Sequence, residues 1–242
     1  MIRVFTMKAA GKDFLAASWR PYLTEERKKL ADRKKGERER QLFLGAEVLL
    51  NLSLRLAGID IPLPAKYKRN EHGKPYLENR GDIYVNWSHS GDYVICAVAD
   101  REVGIDLQYA GKEPKESLVR KLLQPEELCF YEHTPVTERQ RLFYEYWAVK
   151  ESFLKAMGTG FVTPLNRFYV EFAHASGTDG DFGKSAGKIP RIIQNINKNQ
   201  YRCQLLPIKD KEYTAALCIE DTNDSFTRGE AFTALKVEEI EE

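Results

Sequence analysis

The sequence predicts an α+β fold built from two similar halves. Apolar residues recur at helical spacing in two long stretches, one ending near Leu56 and the other near Met157. Each of these stretches is followed by three short apolar segments with the length and composition of strands. The order of one long helix and three strands, found twice, indicates an internal duplication. A chain of 242 residues can bury a sizeable core, as one large domain or two small ones.

The first half, residues 1–103, begins with a strand and continues with helices. Thr24, followed by two glutamates, is typical of a helix N-cap. The helical pattern breaks near Gly36 and then runs on to Gly58, where glycine can end a helix. Predicted strands lie at residues 2–6, 74–77, 83–87 and 93–99.

The second half, residues 104–222, repeats this order. Predicted helices lie near residues 115–123 and 138–157, with a turn at 124–128 between them. Predicted strands lie at residues 103–108, 168–172, 201–206 and 214–219. Residues 174–190 are rich in glycine and small polar residues, so we interpret them as a flexible hairpin loop. The remaining tail, residues 223–242, ends in an acidic run that we expect to be mobile or solvated.

Charge and cysteine content exclude several classes of protein. The formal net charge is +1, so no bulk electrostatic attraction to nucleic acid or to a membrane is expected. The start of the chain is soon polar, and no apolar run is long enough to span a bilayer. The four cysteines form no C-x-x-C pair and lie mostly among apolar residues, which favours buried free thiols. We therefore expect a soluble protein of the reducing cytoplasm.

The helix that ends near Met157 carries three charged residues with different orientations. At about 100° per residue, Lys150 lies within the apolar arc and Glu151 at its border. Lys155 lies one turn beyond Glu151 on the adjoining strip. This pattern has two interpretations: Glu151 and Lys155 pair as ordinary neighbours on a helix surface, or they belong to a site for metal and phosphate.

The strand at residues 103–108 places two oxygen-bearing side chains on one face. Its apolar residues alternate with Asp106 and Gln108, which therefore point the same way. Mg²⁺ prefers oxygen ligands and typically binds through one or two carboxylates together with phosphate and water. By itself the strand is better interpreted as an ordinary half-exposed strand with its polar residues turned to solvent.

Together these segments resemble a known family. A Gly-Ile-Asp strand is followed, 45 positions after Asp106, by Glu151 within Trp-x-x-Lys-Glu-x-x-x-Lys-x-x-Gly-x-Gly. The chain closely resembles the 4′-phosphopantetheinyl transferases, in particular their large, single-chain, surfactin-synthetase-activating (Sfp) type. The resemblance covers most of residues 20–220. It extends to the motifs Gly73-Lys-Pro75, Asn86-Trp-Ser-His-Ser90 and Gln124-Pro-Glu-Glu-Leu128.

The resemblance implies two halves related by a pseudo-two-fold axis, with the active site in the cleft between them. It also implies transfer of the phosphopantetheine arm of coenzyme A, the co-substrate, to a serine of an apo acyl or peptidyl carrier protein. The second product is 3′,5′-ADP. Such an enzyme would act as a monomer, because the two halves complete one cleft within a chain.

The family's metal is Mg²⁺, with Mn²⁺ as an alternative. The matching positions are Asp106, Glu151 and Gln108, and Lys155 would stabilise the leaving phosphate. Relatives commonly have Asp-x-Glu where this chain has Asp-Leu-Gln. Gln108 therefore replaces a carboxylate with a neutral amide, and we expect it to weaken metal affinity.

The resemblance leaves the general base open. Glu127 corresponds best to a glutamate that would orient a metal-bound water, with the adjacent Glu126 as the other possible register. The proton of the serine could pass to Glu151, to Glu127 or to that water. Lys150 has two interpretations of equal weight, either contact with the pantetheine or pyrophosphate portion or support of the fold.

For the nucleotide, Lys74, Ser88 and His89 match family positions that contact coenzyme A phosphates. Their ammonium, hydroxyl and imidazole groups can all donate hydrogen bonds to phosphate oxygens. Lys28 and Arg40 are the predicted contacts to the 3′-phosphate or adenine. They are taken from a basic group that is otherwise a solvated helix face: Arg27, Lys28, Lys29, Arg33, Lys34, Lys35, Arg38 and Arg40.

Two other classes use the same residues. A Mg²⁺-dependent nucleotide phosphohydrolase would activate water and need no carrier protein. A noncatalytic carrier-binding relative would keep the fold without turnover, and Gln108 is the sequence feature that favours it.

Overall fold

The computed structural model describes residues 1–174, 188–221 and 235–241. The helices of this part of the chain are α1 (Glu25–Ala31), α2 (Glu37–Leu56), α3 (Glu116–Leu122), α4 (Pro125–His133) and α5 (Val136–Met157). Its strands are β1 (Ile2–Lys8), β2 (Tyr67–Arg69), β3 (Pro75–Leu77), β4 (Tyr84–Ser90), β5 (Tyr93–Ala99), β6 (Val103–Tyr109), β7 (Phe168–His174), β8 (Lys188–Gln194), β9 (Gln200–Leu206), β10 (Tyr213–Asp221) and β11 (Val237–Ile240).

The two halves have the same topology. In the first half, β5 pairs antiparallel with β1 on one side and β4 on the other. In the second half, β10 pairs in the same way with β6 and β9. Each half also has a long helix, α2 or α5, followed by an antiparallel hairpin, β2–β3 or β7–β8. The predicted α+β fold with two similar halves is confirmed.

An apolar layer joins the two sheets. It contains Ile95 and Ala97 from β5, Ile105 from β6, and Leu217 from β10, all fully buried. Separate cores form where α2 packs in the first half and α5 in the second. Since the sheets share a buried layer, a side chain on β6 is held in a fixed position relative to the first half.

The ends of the helices follow local sequence signals. The Thr24 hydroxyl accepts a hydrogen bond of 3.1 Å from the backbone N–H of Arg27, as expected of an N-cap. Helix α5 ends at Gly158, whose φ of 71° is the left-handed conformation that glycine adopts readily. Both predictions are confirmed.

Several predicted elements need correction. The segment predicted as a turn at 124–128 begins helix α4, in which Gln124 and Glu127 form a capping box. Residues 188–190 belong to β8 and not to the predicted loop, of which residues 175–187 lie outside the described residues. Part of the acidic tail, residues 237–240, forms β11 and pairs parallel with β1, so the prediction of a mobile or solvated tail is wrong for these residues.

All four cysteines are free, as predicted. Cys96, Cys203 and Cys218 are buried, but Cys129, which lies in α4, is exposed, so the prediction of a buried thiol is wrong for this residue. Within the described ranges, no helix combines the length and apolarity required to span a bilayer.

Candidate functional site

Asp106 lies at the centre of the candidate site, on β6. Its side chain is almost completely buried, and donors from three elements contact it. The Ser88 hydroxyl on β4 donates to Oδ1 at 2.8 Å, and the Lys155 ammonium on α5 donates to the same oxygen at 2.6 Å. The Gln108 amide N–H donates to Oδ2 at 2.6 Å. The carboxylate is therefore fixed in orientation across the junction of the two halves.

Helix α5 reaches this site because Gly104 lets it approach β6 closely. A Cβ atom at Gly104 would overlap the backbone of Ser152 and Ala156 in α5. The glycine of the Gly-Ile-Asp motif thus explains how α5 brings Glu151 and Lys155 beside Asp106. Lys155 also donates to the backbone oxygen of Ile105 at 3.0 Å, and this second bond holds its ammonium beside Asp106.

Glu151 has an electrostatic environment unlike that of Asp106. Burial and the nearby charge of Asp106 raise the pKa of Glu151 from 4.5 to about 7, and Lys155 offsets this only in part. Within the described residues, the structure gives its carboxylate no hydrogen-bond donor. The two acids therefore share one lysine, and the negative charge at this point is incompletely neutralised.

The carboxylates of Glu151 and Asp106 are suitable ligands for a divalent cation. Mg²⁺ typically binds through one or two carboxylates and completes its shell with phosphate and water. Glu151 offers a carboxylate without a donor, and Asp106 lies beside it. The described part of the chain contains no cluster of three His, Cys, Asp or Glu side chains, so the protein would supply few ligands. The amide nitrogen of Gln108 faces Asp106, so its predicted role as a ligand stays a prediction.

Glu127 does not lie with these acids. Its carboxylate is completely buried and lies 2.8 Å from the Lys150 ammonium, which is also completely buried. It also accepts hydrogen bonds from the backbone N–H groups of Gln124 at 2.6 Å and Val170 at 2.7 Å. Burial raises the pKa of Glu127, and Lys150 opposes that shift. The pair links α4, α5 and β7 inside the second half, which favours support of the fold for Lys150.

Two of the three predicted phosphate contacts are engaged elsewhere. The Lys74 ammonium is buried, pairs with Glu102 and donates to the backbone oxygen of Ala156 at 2.6 Å, at the C-terminal end of α5. Burial lowers the pKa of Lys74. The Ser88 hydroxyl is occupied by Asp106. Lys74 and Ser88 therefore join the halves of the molecule.

His89 is exposed and lies in a positively charged region. Partial desolvation and then the charges of Lys155, Arg27 and Lys34 lower the pKa of its imidazole. Arg27 stacks on the ring of Phe43 at 3.4 Å and donates to the Phe43 backbone oxygen at 3.1 Å. These groups form a basic region beside Asp106 and Glu151 that suits an anionic ligand.

Arg27 and Lys34, two members of the basic group that the sequence did not select, lie close enough for their charges to act on His89. Lys28 pairs with Glu25 at 2.7 Å, and Arg40 pairs with Glu37 at 3.0 Å, each within its own helix. Lys34 is also paired, with Glu39 at 3.1 Å, so ion pairing does not separate the two sets, and the roles of Lys28 and Arg40 stay predictions. The signal that could have separated them is Phe43, an aromatic residue whose ring is covered by both Arg27 and Lys34.

Proteins of similar sequence indicate the same family as the motifs. Residues 102–218 match the model of the 4′-phosphopantetheinyl transferase superfamily. The chain is 31% identical over 105 residues to the 4′-phosphopantetheinyl transferase gsp of Aneurinibacillus migulanus, covering 43% of each protein. It is 32% identical over 105 residues to the 4′-phosphopantetheinyl transferase Sfp of Bacillus subtilis, covering 43% of this chain and 46% of that protein.

A putative 4′-phosphopantetheinyl transferase of Synechocystis is 29% identical over 231 residues, covering 94% of this chain and 86% of that protein. The chain spans about half the length, or less, of the first two relatives. The resemblance predicted from the motifs, including the Sfp type, is confirmed.

Proposed function

We propose that this chain, which resembles the Sfp-type 4′-phosphopantetheinyl transferases, transfers the 4′-phosphopantetheine group of coenzyme A to a serine of an apo acyl or peptidyl carrier protein. The reaction would require Mg²⁺ and release 3′,5′-ADP. The observation that carries the proposal is the junction of Asp106, Glu151 and Lys155 beside the basic region around His89. We further propose that the protein acts as a monomer in the cytoplasm.

The transfer forms one P–O bond and breaks another. The serine oxygen attacks the β-phosphorus, the bond to the leaving 3′,5′-ADP breaks, and the serine proton passes to a base. Positioning and charge neutralisation are the main demands of such a step. Mg²⁺, when bound, would supply charge neutralisation and alignment of the diphosphate.

Different residues of the site would bind the cation, contact the leaving phosphate and accept the proton. Asp106 and Glu151 would hold the cation, and Lys155, one turn after Glu151, would donate to the leaving phosphate. Glu151 is a candidate base, and a bound water is the other. Glu127 is a weaker candidate than the sequence suggested, because its carboxylate is buried and already accepts from three partners.

The basic region would bind the nucleotide end of coenzyme A. The charges of Arg27 and Lys34 act on His89, and all three side chains carry groups that can donate to phosphate oxygens. The predicted contacts from Lys74, Ser88, Lys28 and Arg40 would each require the side chain to leave a present partner, and Lys34 would likewise have to leave Glu39.

The proposal is tested by measuring the mass of the carrier protein before and after the reaction. The purified protein is incubated with coenzyme A, Mg²⁺ and an apo carrier protein, and the carrier is weighed by mass spectrometry while nucleotide products are measured. The expected result is a carrier heavier by one phosphopantetheine group on its serine, with 3′,5′-ADP in equal amount. Nucleotide release without a change in carrier mass would indicate a phosphohydrolase. Carrier binding without either product would indicate the noncatalytic alternative.

Two variants provide the matched control for this assay. Glu151→Gln removes a site carboxylate and should lower turnover by roughly 100-fold or more, since it removes transition-state charge stabilisation. Glu126→Gln removes an exposed acid on α4 and should leave turnover unchanged. Equal loss in both variants would contradict the assignment of Glu151.

A further inference from the structure

Strands β4 and β6 meet at the junction of the halves without forming a common sheet. The first belongs to the sheet of β11, β1, β5 and β4, and the second to the sheet of β6, β10 and β9. Side chains from β4 replace the missing backbone ladder. Asn86 Oδ1 accepts from the backbone N–H of Ile105 at 2.9 Å, and Ser90 Oγ accepts from the backbone N–H of Tyr109 at 2.9 Å. Between them, the Ser88 hydroxyl bonds to Asp106.

The period of a strand explains this row. Residues 86, 88 and 90 point to one face of β4, towards β6, while Trp87 and His89 point to the other. Ser88 is buried, whereas His89 is exposed near Arg27 and Lys34. Two adjacent residues of one motif therefore have different surroundings. Ser88 faces the carboxylate of Asp106, and His89 faces the basic region.

The hydrogen bond of Ser88 differs from those of Asn86 and Ser90 in the group that it contacts. Asn86 and Ser90 satisfy backbone groups of β6, so their bonds align the strands. Ser88 instead donates to Oδ1 of Asp106, the oxygen that also contacts Lys155. Since a carboxylate can rotate about its terminal torsion, a donor from a buried and fixed strand restricts which lone pairs face the cleft.

We propose that Ser88 is a positioning residue for Asp106. Its hydroxyl, fixed on the first half, orients the carboxylate on the second half that holds the divalent cation. The inference rests on the proposed function and adds to it a role for Ser88 that differs from a contact with coenzyme A phosphate. It predicts that the loss of Ser88 weakens metal binding and leaves nucleotide binding intact.

The test compares Ser88→Ala with Ser90→Ala. Both variants remove one hydroxyl from the same row, but only the first removes a bond to Asp106. Mn²⁺ is titrated into each protein in the presence of saturating coenzyme A and without carrier protein, so that no turnover occurs. Bound and free Mn²⁺ are distinguished by electron paramagnetic resonance. Binding of 3′,5′-ADP without metal is measured by calorimetry.

We expect Ser88→Ala to weaken Mn²⁺ binding by about 10- to 100-fold, the range found when a group that orients a metal ligand is lost. Binding of 3′,5′-ADP should stay within about twofold of the original protein, and Ser88→Thr, which keeps the hydroxyl, should recover much of the Mn²⁺ affinity. Ser90→Ala should leave both affinities unchanged.

Two outcomes overturn the inference. Unchanged Mn²⁺ binding with weaker 3′,5′-ADP binding in Ser88→Ala would make Ser88 a phosphate contact. Equal Mn²⁺ affinity in the two alanine variants would make the row purely structural. Either result leaves the transferase proposal standing if the carrier still gains mass. A carrier that gains none would instead refute the transferase proposal, whatever the metal affinities are.

Discussion

Two groups of charged residues on α5 and its neighbours differ in how their charges are balanced. In the second half's core, Glu127 and Lys150 pair one to one, and two backbone N–H groups also donate to Glu127. At the junction of the halves, Asp106 and Glu151 share Lys155, and the pKa of Glu151 is raised to about 7. Lys150 and Glu151 are adjacent in sequence, yet each belongs to a different group.

The difference shows which carboxylates are available for chemistry. An acid whose oxygens are already matched by fixed donors stabilises the fold, and its removal leaves those donors unsatisfied. An acid that lacks donors and lies beside another acid is unfavourable unless a cation or proton arrives. Charge balance, and not sequence position, therefore separates Glu127 from Glu151.

The largest expected effect comes from the core pair. Glu127→Gln or Lys150→Met alone should lower the free energy of unfolding by about 3–5 kcal/mol, because each leaves a buried charge without its partner. The double variant, which removes both charges at similar volume, should recover a large part of that loss. Chemical denaturation measures all three. A Glu127→Gln protein that is stable but has lost turnover would assign Glu127 to the catalytic residues. It would contradict the distinction drawn between Glu127 and Glu151.

A smaller, pH-dependent effect is expected at Glu151. Because its pKa is raised in the folded state, the folded protein binds more protons than the unfolded chain between about pH 4.5 and 7. Stability without metal therefore falls as the pH rises through this window, and the full penalty is present above pH 7. Glu151→Gln removes the charge. It should increase the free energy of unfolding by roughly 3 kcal/mol at pH 8, and by almost nothing near pH 4.

This measurement uses denaturation in the presence of a chelator, with Glu126→Gln as the exposed control. Asp106, Lys155 and His89 are the other charged or titratable groups assigned to this region, and all are retained in both variants. A Glu151→Gln protein that is less stable than the original at pH 8 would show that Lys155 already balances both acids.

The smallest effect is expected at Gln108. Replacement by glutamate adds a carboxylate to the site but removes the N–H that donates to Asp106 at 2.6 Å. Mg²⁺ affinity should rise several-fold, while the metal-free protein should lose stability, because a hydrogen bond to a charged group is lost and a second carboxylate is placed beside Asp106. Titration of Mg²⁺ against both proteins measures the first effect. Unchanged metal dependence would contradict a role for Gln108.

Elements defined by local sequence were predictable. Helix α5, the cap at Thr24 and most strands follow from apolar periodicity and turn residues. Helix α4 was missed although Gln124, Pro125 and Glu127 have the pattern of a capping box, because the segment is short and its apolar periodicity weak. Strand β11 was missed because its partner, β1, lies more than 230 residues away, where no local pattern records it.

The site was predictable to the level of residue type. Asp106, Glu151 and Lys155 follow from two motifs, and the structure brings all three into one region. The partners of Glu127, Ser88 and Lys74 could not be predicted, since each contacts a residue distant in sequence. Lys28 and Arg40 were selected above Arg27 and Lys34 because the match to relatives shifts by a residue or more in this basic segment and does not record which members lie near His89.

The parallel pairing of β11 with β1 has a consequence for solubility. Strand β1 contains Val4 and Phe5, both fully buried, and without β11 it would present an open edge of apolar residues to other chains. Such edges recruit foreign strands and promote aggregation. Charged side chains now line that border, since Glu238 pairs with Arg3 at 2.7 Å and Glu239 with Lys209 at 3.3 Å, and charged edges of this kind discourage another strand from extending the sheet.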